Sequence, residues 1–188
     1  MSLNELIAGL PTEHLPIALT AYATELKTLY AAEAQRDALT QLGNRAAFEH
    51  HLAAESARAL RYGRLLTVAL LDLDGFKQVN DTYGHAAGDI ALQQFAALLK
   101  ASLRQSDQAF RYGGDEFAVL FPETAATAVD VVMLRLKEQM AAAGCAYGFS
   151  WGCAAVPDDL AKADASEPRA LLLRADARLY AQKRERRS

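Results

Sequence analysis

The sequence has no apolar run that could cross a bilayer: the longest nearly unbroken one, Leu65 to Leu71, falls far short of the roughly 20 residues a spanning helix needs. A basic segment leading into a signal-type apolar core is also missing from the N-terminus. Both absences point to a cytoplasmic protein without membrane insertion. There is no excess of positive charge either. A formal net charge of -3 excludes a protein whose main work is neutralising a nucleic-acid backbone over a broad basic face, so no nucleic-acid partner is expected. Cysteine is scarce, with only Cys145 and Cys153. If both lie on one strand, eight residues separate them by about 26 Å, which excludes a disulfide. The histidines, His14, His50, His51 and His85, show no spacing with these cysteines that would make a zinc site. Low-complexity tracts are absent, and ordinary proportions of apolar and charged residues exclude disorder as the main state.

A chain of 188 residues can bury one good core, with perhaps a short appendage. After the breaks at Pro11 and Pro16, Leu19, Tyr22, Leu26, Leu29 and Tyr30 recur as a helical stripe. That helix either packs on its own domain or pairs with a second copy, and two heptads are too few to decide. A second helix is expected over 45–62, with Phe48, Leu52 and Leu60 inward. Leu65 to Leu71 reads as a buried strand that Asp72 and Asp74 follow. Ala91, Phe95, Leu98 and Leu99 mark a helix within about 88–103. Two strands, 109–112 and 117–121, flank a Gly113-Gly114-Asp115 hairpin turn. A helix over 127–142 carries Val129, Val132, Leu136 and Met140, and 146–156 is strand-like. The last helix begins near Ser166 as N-cap, with Pro168 in its first turn and Leu172, Ala175 and Leu179 as its buried stripe. This order predicts an α+β fold with helices covering an antiparallel sheet.

Asp72 and Asp74 at a strand end, with Asp115 and Glu116 in a glycine-bearing turn, gather hard carboxylate oxygens of the kind Mg²⁺ takes beside substrate phosphates. Gly113 and Gly114 would permit a tight turn and a close approach of substrate to the backbone. Taken alone, these residues read equally as a metal site or as an ordinary acidic turn.

The longer pattern separates the two readings. The segment from Asp72 to Asp89 (DLDGFKQVNDTYGHAAGD), followed by Arg111-Tyr112-Gly113-Gly114-Asp115-Glu116-Phe117, resembles the GGDEF family of diguanylate cyclases. Asp37 to Arg45 (DALTQLGNR) resembles that family's opening motif. Ser150-Trp151-Gly152 and Ala175 to Tyr180 (ADARLY) resemble its later strand and final helix. The resemblance covers residues 37–188, leaving 1–36 as a helical segment that either dimerises or links. Fewer than about 40 residues precede the motifs, too few for a typical independent input domain.

The resemblance implies a nucleotide-cyclase or polymerase-palm-like, ferredoxin-like core that condenses two GTP into cyclic diguanylate across a homodimer. It implies two Mg²⁺, with Mn²⁺ as a substitute, held by Asp72, Asp115 and the carbonyl of Leu73, and Glu116 as ligand or base. Asn80 and Asp89 would read guanine, although by residue type they also suit a turn and a helix start. Phe76, Lys77, Lys183 and Arg187 would contact phosphate, while the basic end of the last helix also suits its dipole. Here the sequence departs from the family: Arg186 stands at a usual Gly and Ser188 at a usual Asn. His85 has a structural role, and no catalytic triad is expected. Arg104 and Asp107, with Arg135 contributing, fall at the offset of an inhibitory product site, although an Arg-x-x-Asp pair can be an ordinary solvated loop. Two rival readings are a catalytically silent module that binds GTP or cyclic diguanylate, and a cyclase that also accepts ATP; intact Asp72, Asp115 and Glu116 disfavour the first, Asp89 the second.

Overall fold

A computed structural model describes residues 11–157 and 168–187, with the side chains of residues 12, 27–33 and 187 excepted. The chain divides into two units, Met1–Arg36 and Asp37–Ser188. In the first, a short 3₁₀ turn, Thr12–His14, leads into helix α1, Leu15–Ala34. Pro16, expected as a break, lies in the first turn of α1, where the missing N–H has no intrahelical partner to lose. Ile17 and Leu19 are exposed and Tyr22 and Leu26 half-buried; Leu29 and Tyr30 lie outside the described side chains.

The second unit runs α2 (Arg45–Tyr62), β1 (Leu66–Asp74), α3 (Phe76–Tyr83), α4 (His85–Ser102), β2 (Gln108–Arg111), β3 (Glu116–Pro122), α5 (Ala126–Ala142), β4 (Gly148–Val156) and α6 (Pro168–Arg187). The sheet order is β2-β3-β1-β4, antiparallel throughout. Asn44 caps α2 by accepting from the Ala47 N–H at 3.0 Å, and Gly63 ends it in the left-handed region at φ 62°.

Period-two alternation divides the central strand between two cores. Ala69, Leu71 and Leu73 face Phe95 and Leu99 of α4 and Met133 and Leu136 of α5. Leu66, Val68 and Leu70 face Phe48 and Leu52 of α2 and Leu171, Ala175 and Leu179 of α6. Burying each of these Leu, Val or Phe side chains contributes about 1.5–3 kcal/mol. The fold is therefore the expected α+β type, an antiparallel sheet with helices on both faces.

Several local expectations shift. Asp72 and Asp74 are the strand's own last residues, because β4 pairs as far as Asp74↔Gly148. Helix α3 occupies a segment where the sequence reading assigns no element, and α4 starts at His85 instead of Gly88. In α5 Met133 is buried beside the expected Val129, Leu136 and Met140 while Val132 is only half-buried, and in α6 Leu171 is buried beside the expected Ala175 and Leu179 while Leu172 is half-buried. Cys145 precedes β4, so the two cysteines do not share a strand, and no disulfide joins them. The expected cap Ser166 lies outside the described residues.

Candidate active site

The same alternation that builds the core delivers the site. Asp72 and Asp74 continue the Leu66-Val68-Leu70 face of β1, the face that α6 covers. Two basic side chains of α6 meet them there: Lys183 Nζ lies 2.5 Å from Asp72 Oδ1, and Arg186 pairs with Asp74. Across the sheet Glu116 stands opposite Asp72 in register. Asp115 is held one residue earlier by the Leu73 N–H donating to its carbonyl at 3.2 Å. A cavity of about 580 Å³ opens here, lined by residues 72–78 from the end of β1 and the start of α3, by Asp115, and by Lys183 and Arg186. Thus Asp72, Leu73, Phe76, Lys77, Asp115 and Lys183, proposed from motif positions, share one cavity wall. The Arg187 side chain lies outside the described ones.

The carboxylates repel one another. Burial pushes the Asp72 carboxyl up, Lys183 pulls it back, and the charges of Asp115 and Asp74 push again, leaving it above its ordinary value. Burial likewise raises Glu116, with Asp72 and Asp115 adding to the shift and Lys183 opposing it. Raised carboxyl values mean that the charged forms are disfavoured where they stand, and a cation in the cavity relieves them. Among the described residues no three His, Cys, Asp or Glu side chains form a ready metal cage. That donor set fits Mg²⁺, which takes one or two protein carboxylates and completes its shell with phosphate and water.

The turn is braced from outside. Arg111 donates to the Gly114 carbonyl through Nε at 3.2 Å and Nη2 at 2.9 Å, and its Nη1 reaches Asp37 Oδ1 at 3.2 Å. Burial raises Asp37, but hydrogen bonds from Thr40 and the Arg111 guanidinium outweigh it, so its carboxyl lies below the ordinary value. The Asp37 motif thereby anchors the acidic turn. A Cβ on Gly113 would stand 2.6 Å from Glu116 Oε2 and displace the end of that side chain, whereas a Cβ on Gly114 would meet nothing within 4 Å.

Asn80 on α3 packs against Gly88 of α4, whose added Cβ would fall 2.0 Å from Asn80 Oδ1, and neither Asn80 nor Asp89, the residue after Gly88, is part of the cavity lining. That Oδ1 is buried without a hydrogen-bond partner. Such an orphaned acceptor costs about 1–3 kcal/mol, which a ligand N–H would recover. Asp89 is exposed. Arg104, Asp107 and Arg135 are not part of the cavity lining. Arg104 and Asp107 close their own loop, the Arg104 N–H donating to Asp107 Oδ2 at 2.9 Å. Arg135 Nη2 donates to the Ser102 carbonyl at 2.6 Å, close by at the end of α4. Asp74 stands among the carboxylates that the residue types alone suggest, and Arg186 among the departures from the family pattern, but their pairing across the chain leaves no signal in sequence spacing.

A family model described as "Diguanylate cyclase, GGDEF domain" matches residues 34–188. Diguanylate cyclase DgcP of Pseudomonas aeruginosa is 41% identical over 157 residues, 81% of this chain and 23% of that protein. Diguanylate cyclase TpbB of Pseudomonas aeruginosa is 37% identical over 168 residues, 84% of this chain and 37% of that protein. Among solved structures, the coiled coil and GGDEF domain of DgcB from Caulobacter crescentus, in complex with c-di-GMP, matches with a TM-score of 0.76 and 30% identity. That match covers 92% of this chain and 95% of the other. The chain spans well under half the length of these two curated relatives.

Proposed function

Because the chain belongs to the GGDEF-domain family of diguanylate cyclases, we propose that it condenses two GTP molecules into cyclic diguanylate and releases two pyrophosphates. The observation that carries this reading is the convergence of Asp72 and Asp115 with Lys183 on one cavity wall. Asp72, Asp115 and the Leu73 carbonyl would hold two Mg²⁺, for which Mn²⁺ can substitute. When bound, the ions neutralise phosphoryl oxygens and make the ribose 3′-hydroxyl more acidic. The chain's own residues do the rest. Lys183 and the first-turn N–H groups of α3 at Phe76 and Lys77, which lack intrahelical partners, bind phosphate, and Arg187 follows them on α6. Glu116, its carboxyl raised by burial and by neighbouring carboxylates, serves as a further ligand or takes the hydroxyl proton.

Two subunits face one another with one GTP each. The 3′-oxygen of one GTP bonds to the α-phosphorus of the other as the bond to the bridging oxygen breaks and pyrophosphate leaves. Alignment of two substrates is then the controlled step, and α1 is an aligning device between copies. Incubation with GTP and Mg²⁺ followed by chromatography tests the reading: cyclic diguanylate is expected, formed at a rate per subunit that rises with protein concentration. Recovery of bound but unaltered GTP would support the silent-module alternative.

Asn80 and Asp89 read the base: the unpaired Asn80 oxygen accepts a guanine N–H, and the Asp89 carboxylate accepts from the ring N–H and exocyclic amine that adenine lacks there. Hydrogen bonds to a charged group contribute about 1.5–3 kcal/mol, so Asp89→Ser is expected to narrow the GTP-over-ATP preference about 10- to 100-fold. Competing the two nucleotides checks this, and an unchanged ratio removes Asp89 from base recognition.

Arg104 and Asp107, supported by Arg135, form a second, inhibitory site for the product: the arginine fork suits guanine acceptors or phosphate and the carboxylate suits guanine donors. Arg104 holds its loop through its backbone N–H, which alanine retains. Arg104→Ala should therefore raise the inhibition constant for cyclic diguanylate about tenfold or more with kcat unchanged. An unaltered inhibition constant would take product inhibition away from this loop.

A further inference from the structure

Arg186 is the last rung of a ladder. Arg178 Nη1 donates to the Cys153 carbonyl at 2.6 Å, Gln182 Oε1 accepts from the Trp151 N–H at 2.7 Å, and Arg186 Nη1 donates to the Phe149 carbonyl at 3.1 Å. Spaced four apart on α6, these residues satisfy alternate backbone groups along the outer edge of β4. The first two have no further part in the cavity. Arg186 does: it lines the cavity wall, and its side chain is 43% exposed.

Its hydrogen bonds are one-sided. The contacts to Asp74 Oδ2, the Phe149 carbonyl and Ser150 Oγ all use Nη1, and Ser150 Oγ in turn donates to Asp74 Oδ1 at 2.8 Å. The guanidinium is a planar fork with N–H groups on all its nitrogens, so an anchored Nη1 leaves Nη2 and Nε oriented as donors that take no hydrogen bond among the described residues. Asp74 lies two residues beyond Asp72, about 7 Å along the strand. Arg186 therefore stands one strand repeat past the carboxylate nearest Lys183, toward the α3 turn where Phe76 and Lys77 line the same cavity. Its charge also balances the lining: three carboxylates, Asp72, Asp74 and Asp115, stand against three cations, Lys77, Lys183 and Arg186.

We propose that Arg186 is a substrate-binding residue that grips the triphosphate, with Asp74 and Ser150 as the positioning pair that fixes its fork. The proposal rests on the reading of this cavity as a GTP site. It differs from a purely structural role, in which Arg186 only caps the edge of β4, and from simple neutralisation of Asp74.

The experiment measures GTP affinity by titration calorimetry with Mg²⁺, and KM and kcat, for the wild-type chain, Arg186→Gly, Arg186→Lys and the double variant Arg186→Gly with Asp74→Asn. Guanosine serves as a phosphate-free competitor, and thermal melts confirm folding. Arg186→Gly should weaken GTP binding and raise KM about tenfold, as expected for one charge-assisted contact, with kcat and the guanosine inhibition constant unchanged. Arg186→Lys should recover part of the loss, and the double variant should stay weak. Wild-type GTP affinity in folded Arg186→Gly, or full recovery in the double variant, would overturn the proposal. Absence of cyclic diguanylate from the wild-type chain would instead sink the cyclase reading, and the calorimetric comparison would still decide the role of Arg186.

Discussion

Replacement of Asp115 by alanine is expected to lower cyclic diguanylate formation by about a thousandfold or more while the protein stays folded. The size follows from the chemistry assigned to the carboxylate. A metal that stabilises phosphoryl charge supplies several kcal/mol of barrier lowering, and each 1.36 kcal/mol is tenfold in rate. The structural side is mild because the backbone of the turn is held independently of the Asp115 side chain: the Asp115 carbonyl accepts from the Leu73 N–H at 3.2 Å, and the Tyr112 N–H reaches the Glu116 carbonyl at 2.8 Å. Arg111 adds its two bonds to the Gly114 carbonyl. The substitution also removes one of the charges that push Asp72 and Glu116 above their ordinary values, so the melting temperature without metal should not fall. Product chromatography beside a thermal melt checks both halves. A folded variant that retains a tenth of wild-type turnover would show that Asp115 does not hold a metal needed for the reaction.

How much of this was legible in the sequence depends on whether a residue's role is local. The short apolar run of β1 and the glycine-bearing turn were readable because strand and hairpin signals are carried by neighbours in the chain. Helix α3 was harder to read: Phe76, Val79 and Tyr83 fall on one helical face, but eight residues are too few for a helical period to stand out from the motif around them. In α6 the structure buries Ala175 and Leu179 as expected, and only the first position of the stripe differs, since the Leu171-Leu172-Leu173 run offers any of the three to the core and packing selects Leu171. Asp72, Leu73 and Asp115 were found through the long motif, not through periodicity. The Asp74–Arg186 pair escaped because it depends on which face of β1 the carboxylate continues and on where α6 crosses it. A motif fixes order along the chain, while α6 supplies charge at a distance of more than a hundred residues.

That dependence on α6 makes Gly152 a sensitive position. Gly152 lies on the face of β4 that α6 covers, between Ser150 and the buried Ala154. A Cβ there would stand 2.2 Å from both the Ala175 carbonyl oxygen and the Leu179 nitrogen. Both are backbone atoms of the helix, so no rotamer change can relieve the clash and α6 must lift from the sheet. Lifting it uncovers Leu171, Ala175 and Leu179 and moves Lys183, one turn beyond Leu179, away from Asp72. Gly152→Ala is therefore expected to destabilise the protein by about 3 kcal/mol or more, at the upper end of overpacking effects, lowering the melting temperature by roughly 6–12 °C. It should also cost most of the activity at temperatures where the chain remains folded, because the phosphate contacts of α6 would no longer face the metal carboxylates. Gly114→Ala is the stability control, since its Cβ would meet nothing within 4 Å, and its melt should match that of the wild type. Thermal denaturation of the two variants, with GTP turnover measured well below each transition, separates the effects. A Gly152→Ala protein that melts with the wild type would mean that α6 does not approach β4 this closely, and the pairing of Lys183 with Asp72 would lose its structural basis.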